Sequence, residues 1–338
     1  MEIVRRRAHA RAGFVGNPSD GYHGRTISLC VGDFFAEVTL YEWPKVEIVW
    51  TEEDQSSFDS IHELHEDVEL HGYYGGVRLV KATIKRFYEY CQANGLTLHE
   101  RNFAIRYSSN VPRAVGLAGS SAIIVATLRA LIDFYRVEIP LHVQPSLALS
   151  VETRELGIAA GLQDRVIQVY DGLVYMDFAQ ERMQIVDGME CGVYERLDPA
   201  LLPPVYVAYS TEVGEPTYVV HNPLRARYQR GERDVVEAME IFADLTDQAR
   251  IALEQGDAQR LHELINLNFD TRARICNISA GHRAMVQAAR SVGASAKFAG
   301  SGGAIVGTFR DVEMFCDLKR TLEAINCRVI QPLIRTPV

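Results

Sequence analysis

Residues 111–135 read VPRAVGLAGSSAIIVATLRALIDFY, with two glycines and two serines inside 116–121 and an almost wholly apolar run behind them. A plain turn needs one or two such residues, so the surplus asks for a further cause. Gly116 and Gly119 tolerate positive φ and leave no side chain between the backbone and a ligand. Ser120 is a good N-cap, and a helix starting there aims unpaired N–H groups and a positive dipole end outward. The combination predicts an anion site suited to phosphate. An ordinary turn before a capped, buried helix is the plain alternative.

Other glycine motifs fit poorly. G-x-x-x-x-G-K-[ST] does not occur and the turn has no lysine, which excludes a Walker loop. G-x-G-x-x-G is absent as well, which argues against a dinucleotide site. AGSGGA at 299–304 is like a nucleophile elbow with alanine in the first position, but strand-like AIVGTF follows where a helix is required. The last histidine is His282, so no base comes later in the chain, as hydrolase order demands.

Working outward, residues 3–50 alternate apolar and polar residues around the GNPSD turn, as strands do. Residues 51–69 are acidic and predict a surface connection or a frayed helix; HELHEDVELHG, from His62, lacks HExxH spacing and reads as a solvated face. YGGVRLVKATIKRFYEYCQANG predicts a helix stopped by Asn-Gly, and FAIRYSSNVP a strand. QPSLALSVETREL and LQDRVIQVY predict helices, and GLVYMDF a strand. Beyond residue 186 the order becomes β-α-α-α-β-α-β, with one long helix over RYQRGERDVVEAMEIFADLTDQARIALEQGD. The expectation is an α+β chain of two domains, 1–185 and 186–338.

Composition agrees. A chain of 338 residues, 47% hydrophobic, can fill more than one core. A net charge of -9 argues against a nucleic-acid surface but leaves room for a local phosphate site. No apolar run reaches bilayer length, and MEIVRRRAHARAGFVGNPSD lacks the apolar stretch of a secretory signal. Six cysteines without a CxxC pair predict buried free thiols in a reducing, cytoplasmic setting.

P-x3-G-L-x-G-S-S-A at 112–122, GNPSD after the first strand and KFAGSGGA at 297–304 together resemble the three motifs of the GHMP kinases. GNPSDGYHGRTIS, GYYGGVRL, ELGIAAGLQDRV and NLNFDTRAR extend the likeness, over residues 9–306, to one branch, the plant-type glucuronokinases. The resemblance implies an N-terminal domain like ribosomal protein S5 domain 2 and a ferredoxin-like C-terminal domain, with ATP and sugar in the cleft between. It also implies ATP- and Mg²⁺-dependent phosphorylation of the anomeric hydroxyl of D-glucuronate. Rival readings are a kinase for galacturonate or a neutral hexose, and a non-catalytic nucleotide- or sugar-binding relative. The implied partners are small molecules, without nucleic acid or membrane, and the chain a monomer or homodimer.

The same resemblance distributes roles. Gly116, Leu117, Ala118, Gly119, Ser120 and Ser121 would cradle the phosphates. Ser121 and Glu152 would hold the metal, with Glu155 a rival because Glu152 stands twelve residues before Asp164. Asp164 would orient the acceptor hydroxyl and take its proton. Arg11, where many relatives carry lysine, would steady Asp164 and the transferring group. Asn17, Ser19, Asp20 and Tyr74 are the hydroxyl-binding candidates. Arg25, Arg78, Arg113 and Arg272 are the candidates for the uronate carboxylate. Gly300, Ser301, Gly302 and Gly303 form the third motif, which backs the phosphate loop and lines the sugar site at Gly302.

Overall fold

The computed structural model describes residues 2–49, 75–211 and 224–334; Tyr74 and the acidic stretch 51–69 lie outside them. Strand β1 (Ile3–Val15) and the long β2 (Arg25–Trp43) form an antiparallel hairpin around a short 3-10 turn at Ser19–Tyr22. β3 (Glu47–Ile48) lies parallel to β4 (Asn102–Ser109). The far edge of β2 takes two partners: β4 along its C-terminal half and β5 (Leu173–Asp177) along its N-terminal half. After a small hairpin, β6 (Gln184–Val186) with β7 (Met189–Cys191), strand β8 (Val193–Leu197) pairs with β5. The first sheet therefore runs on past residue 186, the expected start of the second domain.

Helices α1 (Gly76–Ala93), α2 (Gly119–Tyr135), α3 (Gln144–Ser150) and α4 (Gln163–Tyr170) belong to this part. α2 is apolar on nearly every side because it is enclosed: it packs against β1, β2, α1 and α4. The expected helix over 144–156 is α3 followed by a wider π turn at Val151–Glu155, which turns Glu152 inward and leaves Glu155 less buried.

The second sheet has the order β10–β11–β9–β12, all antiparallel, with β9 at Val205–Ser210, β10 at Lys297–Phe298, β11 at Ala304–Thr308 and β12 at Cys327–Ile330. α5 (Arg233–Gln255), α6 (Ala258–Ile275) and α7 (Ala280–Ser291) connect β9 to β10, and α8 (Val312–Glu323) connects β11 to β12. That is the ferredoxin-like strand order with extra helices in one crossover. The expected long helix is split at Gly231, whose φ is +70°. All six cysteines are free thiols; four are buried, but Cys276 is half-buried and Cys316 exposed.

The C-terminal half of β1 loses the alternation of a half-exposed strand. Ala8 to Val15 are all buried, since α2 covers one face and the second part of the chain the other. Ala10, Ala12, Phe14 and Val31 share one apolar cluster with Leu245, Leu264, Ile265 and Val306. A bulge sits between His9, opposite Phe35, and Ala10, opposite Val31. Within this buried run Arg11 is the one residue with a permanent charge, and its burial has to be explained by partners.

Candidate active site

The loop before α2 closes differently from expectation. Ala118, not Ser120, is the capping residue; it adopts the left-handed conformation at φ +64°, with no side chain capping the helix. Ser120 is exposed in the first turn, and Ser121 is buried with its hydroxyl donating to the Ala118 carbonyl at 3.2 Å. The N–H groups of Gly119, Ser120 and Ser121 open the helix and have no acceptor within it, so the anion-binding geometry survives the shift of cap.

Behind this loop stands the second glycine turn. A Cβ on Gly300 would lie 2.3 Å from the Gly116 carbonyl oxygen, and one on Gly116 would lie 2.8 Å from that of Gly302. Only glycine lets the two backbones meet so closely. Gly302, at φ +148°, has the His282 ring where a Cβ would point.

Arg11 joins these pieces. Its Nε donates to Asp164 Oδ1 at 2.6 Å, and its Nη1 donates to the carbonyls of Gly116 at 2.6 Å and Ala299 at 3.0 Å. One guanidinium therefore ties the carboxylate at the start of α4 to both glycine turns, using the fork that lysine lacks. Asp164 remains 21% exposed, and its Oδ2 lies 3.5 Å from Arg165 Nη1.

Next to it, Arg165 donates through Nε and Nη2 to Glu152 Oε2, the first at 2.8 Å, and both residues are buried. Burial raises the Glu152 pKa, against the opposing pull of Arg165. Glu155 instead meets Lys85 at 2.7 Å in a partly exposed pair. A hard divalent cation wants oxygen donors. Ser121 Oγ and the Glu152 oxygen that Arg165 does not hold are oxygen donors of that kind, whereas the Glu155 carboxylate is paired with Lys85.

Asp20 lies against the segment ahead of α4: a Cβ on Gly161 would come 2.2 Å from its Oδ2. Removal from water, reinforced by the Asp164 charge, raises the Asp20 pKa to about 7. Asn17 and Ser19 are engaged with the protein: Asn17 Oδ1 accepts from Lys297, and Ser19 Oγ donates to the Arg25 carbonyl at 3.0 Å.

Lys297 is not among the residues that the sequence singles out, which in KFAGSGGA are Gly300, Ser301, Gly302 and Gly303. It is buried, and its Nζ also donates to the carbonyls of Gly13 at 2.5 Å and Phe298 at 2.9 Å. Burial, with Arg272 and Arg11 nearby, drives its pKa well below the usual lysine value. A lone lysine inside an apolar strand was the available signal.

The four candidate arginines separate. Arg25 pairs with Asp247 at 2.5 Å and Asp177 at 3.6 Å. Arg272 is buried and donates to the carbonyls of Gly300 at 2.7 Å and Ser301 at 3.2 Å. Arg113 is exposed directly ahead of the phosphate loop. Arg78, also exposed, lines a cavity of about 460 Å³ with Lys81, Lys85, Glu155 and Leu156.

Beyond the far end of α4, His9, Cys30 and Asp171 bring metal-type donors within 4.8 Å of one another. Arg129 already sits 3.1 Å from Asp171, and burial pushes the Cys30 thiol up, so this group reads as a core ion pair beside a neutral thiol. Among the described residues no helix is long and apolar enough to cross a membrane.

Residues 78–172 match the family described as GHMP kinases N terminal domain. The chain is 44% identical over 311 residues to Glucuronokinase 1 of Arabidopsis thaliana, an alignment covering 90% of this chain and 84% of that relative. Its fold is similar to that of the Methanococcus jannaschii mevalonate kinase, with a TM-score of 0.72, 17% identity and 99% of each chain covered. It is also similar to that of Lactococcus lactis galactokinase complexed with galactose, with a TM-score of 0.72, 14% identity, and 98% and 94% of the two chains covered.

Proposed function

The chain belongs to the glucuronokinase branch of the GHMP kinases, and from that membership we propose that it transfers the γ-phosphoryl group of ATP to the anomeric hydroxyl of D-glucuronate, yielding glucuronate 1-phosphate and ADP. The observation that carries the reading is the Arg11 strut, which ties the part-buried Asp164 carboxylate to the Gly116 carbonyl of the loop ahead of α2.

Phosphoryl transfer needs positioning and neutralised charge more than covalent help. In this reading the amides of residues 116–121 and the dipole of α2 receive the phosphates. Ser121 and Glu152 would hold Mg²⁺, which would supply further charge neutralisation. Asp164 orients the anomeric hydroxyl and accepts its proton, while Arg11 fixes the carboxylate. Asp20 meets the sugar hydroxyls, while Asn17 and Ser19, buried and bonded to Lys297 and the Arg25 carbonyl, support the turn that carries it. Arg25 and Arg272 donate to protein acceptors inside the fold, and the exposed Arg113 and Arg78 stay the candidates for the uronate carboxylate. The free thiols suit the cytoplasm.

The test is ADP release coupled to glucuronate, galacturonate, glucose and galactose in Mg²⁺, with wild type and Asp164→Asn. Glucuronate-dependent release that drops by orders of magnitude in the variant is expected. Equal turnover of glucose would overturn the uronate assignment, and an unaffected variant the role of Asp164.

A further inference from the structure

Helix α4 carries Asp164 and, four residues on, Gln168, a spacing that stacks both side chains on one face. Gln168 is 1% exposed, and its Nε2 donates to the Ala118 carbonyl at 2.8 Å. Its Oε1 is buried without a partner. A polar side chain kept in such surroundings for one bond points to what that bond holds.

The bond holds a strained residue. Ala118 has a Cβ yet sits in the left-handed region, a conformation that persists only where surrounding structure enforces it. The peptide joining Ala118 to Gly119 is planar and trans, so its C=O and N–H point in opposite directions. Drawing the carbonyl toward α4 therefore aims the Gly119 N–H away from α4. Arg11 ties the same helix to the Gly116 carbonyl through Asp164. α4 thus grips the loop on both sides of Leu117.

We propose that Gln168 is a positioning residue of the phosphoryl transfer, fixing the loop amides relative to the carboxylate carried by its own helix. The proposal rests on reading residues 116–121 as the phosphate cradle. Gln168 itself touches neither substrate.

Two variants test it. Gln168→Met keeps the length and removes the donor; Gln168→Glu keeps the shape and turns an acceptor toward the carbonyl. The expected result for Gln168→Met is a fall in kcat/KM for ATP of about 3- to 10-fold, the size of one lost hydrogen bond, with KM for glucuronate nearly unchanged. Gln168→Glu should lose more. A second readout needs no substrate: amide hydrogen exchange of the nucleotide-free protein. The Ala122 amide, which donates to the same Ala118 carbonyl at 3.2 Å, should exchange faster in Gln168→Met while the amides within α4 keep their protection. Unchanged exchange at Ala122, or equal losses toward both substrates, overturns the proposal. A wild type that never turns over glucuronate would refute the kinase reading, and the exchange comparison would still decide the role of Gln168.

Discussion

Replacing Arg11 with methionine keeps most of the apolar stem and deletes the donors to Asp164, the Gly116 carbonyl and the Ala299 carbonyl. A charge-assisted bond contributes about 2 kcal/mol and each carbonyl bond about 1 kcal/mol, giving a ceiling near 4 kcal/mol. Asp164 is 21% exposed and can recover some water, which lowers the expected loss to about 3 kcal/mol. A typical stability of about 5–15 kcal/mol absorbs that, so the variant should fold. Activity should suffer more, because the carboxylate and both glycine turns lose their common tie. A kcat reduced about 100-fold corresponds to roughly 2.7 kcal/mol of lost alignment. Arg11→Lys keeps the charge but cannot span three acceptors, and should fall between the two. Urea unfolding and coupled ADP release measure the two effects. An Arg11→Met protein with stability within about 0.5 kcal/mol of wild type, the range of an ordinary surface change, and undiminished kcat would refute the reasoning.

Gly300→Ala places a Cβ 2.3 Å from the Gly116 carbonyl; it should cost about 1–3 kcal/mol by overpacking and raise KM for ATP more than KM for the sugar. Glu152→Gln removes the nearer of two carboxylates facing the buried Arg165 guanidinium and leaves Asp164 at 3.5 Å, so it should destabilise by about 2 kcal/mol while raising the Mg²⁺ requirement. Glu155→Gln breaks only a partly exposed pair with Lys85, and its melting temperature and Mg²⁺ titration should match wild type. The Asp20 pKa, about 7 when folded, exceeds its unfolded value of about 3.9, so between these values the native state binds the extra proton. The stability this group contributes is present below that window and lost as pH rises through it. Asp20→Asn should therefore gain on wild type in urea midpoint between about pH 5 and pH 7.5, and a parallel midpoint shift in both proteins would contradict the burial argument.

Much of the scaffold could be read from local pattern. The apolar helix behind GLAGSS, the strand over FAIRYSSN and the helix over QDRVIQVY carry their own periodicity, and they form as expected. The strand-helix order of the C-terminal part reaches the ferredoxin-like sheet because unknotted crossovers of one hand leave few alternatives. What local pattern could not show was pairing at long range. Arg25 and Arg272 looked available for a substrate carboxylate, but Asp247 and the Gly300 carbonyl engage them in the fold. Lys297 finds Asn17 across most of the chain, and Gln168 finds Ala118 across fifty residues. The cap of α2 was missed for another reason: Ser120 has the better capping chemistry, yet the main chain enters the helix through a left-handed alanine.

The apolar cluster that unites Phe14 and Val31 with Leu245, Leu264 and Val306 is fully or almost fully shielded from water. Prying that seam open would wet it, at about 2.5 kcal/mol for each 100 Å² or so of apolar surface newly bared. The same seam keeps the turn at residues 300–303 seated against Gly116, so the two halves of the candidate site are held in register by oil as well as by charge.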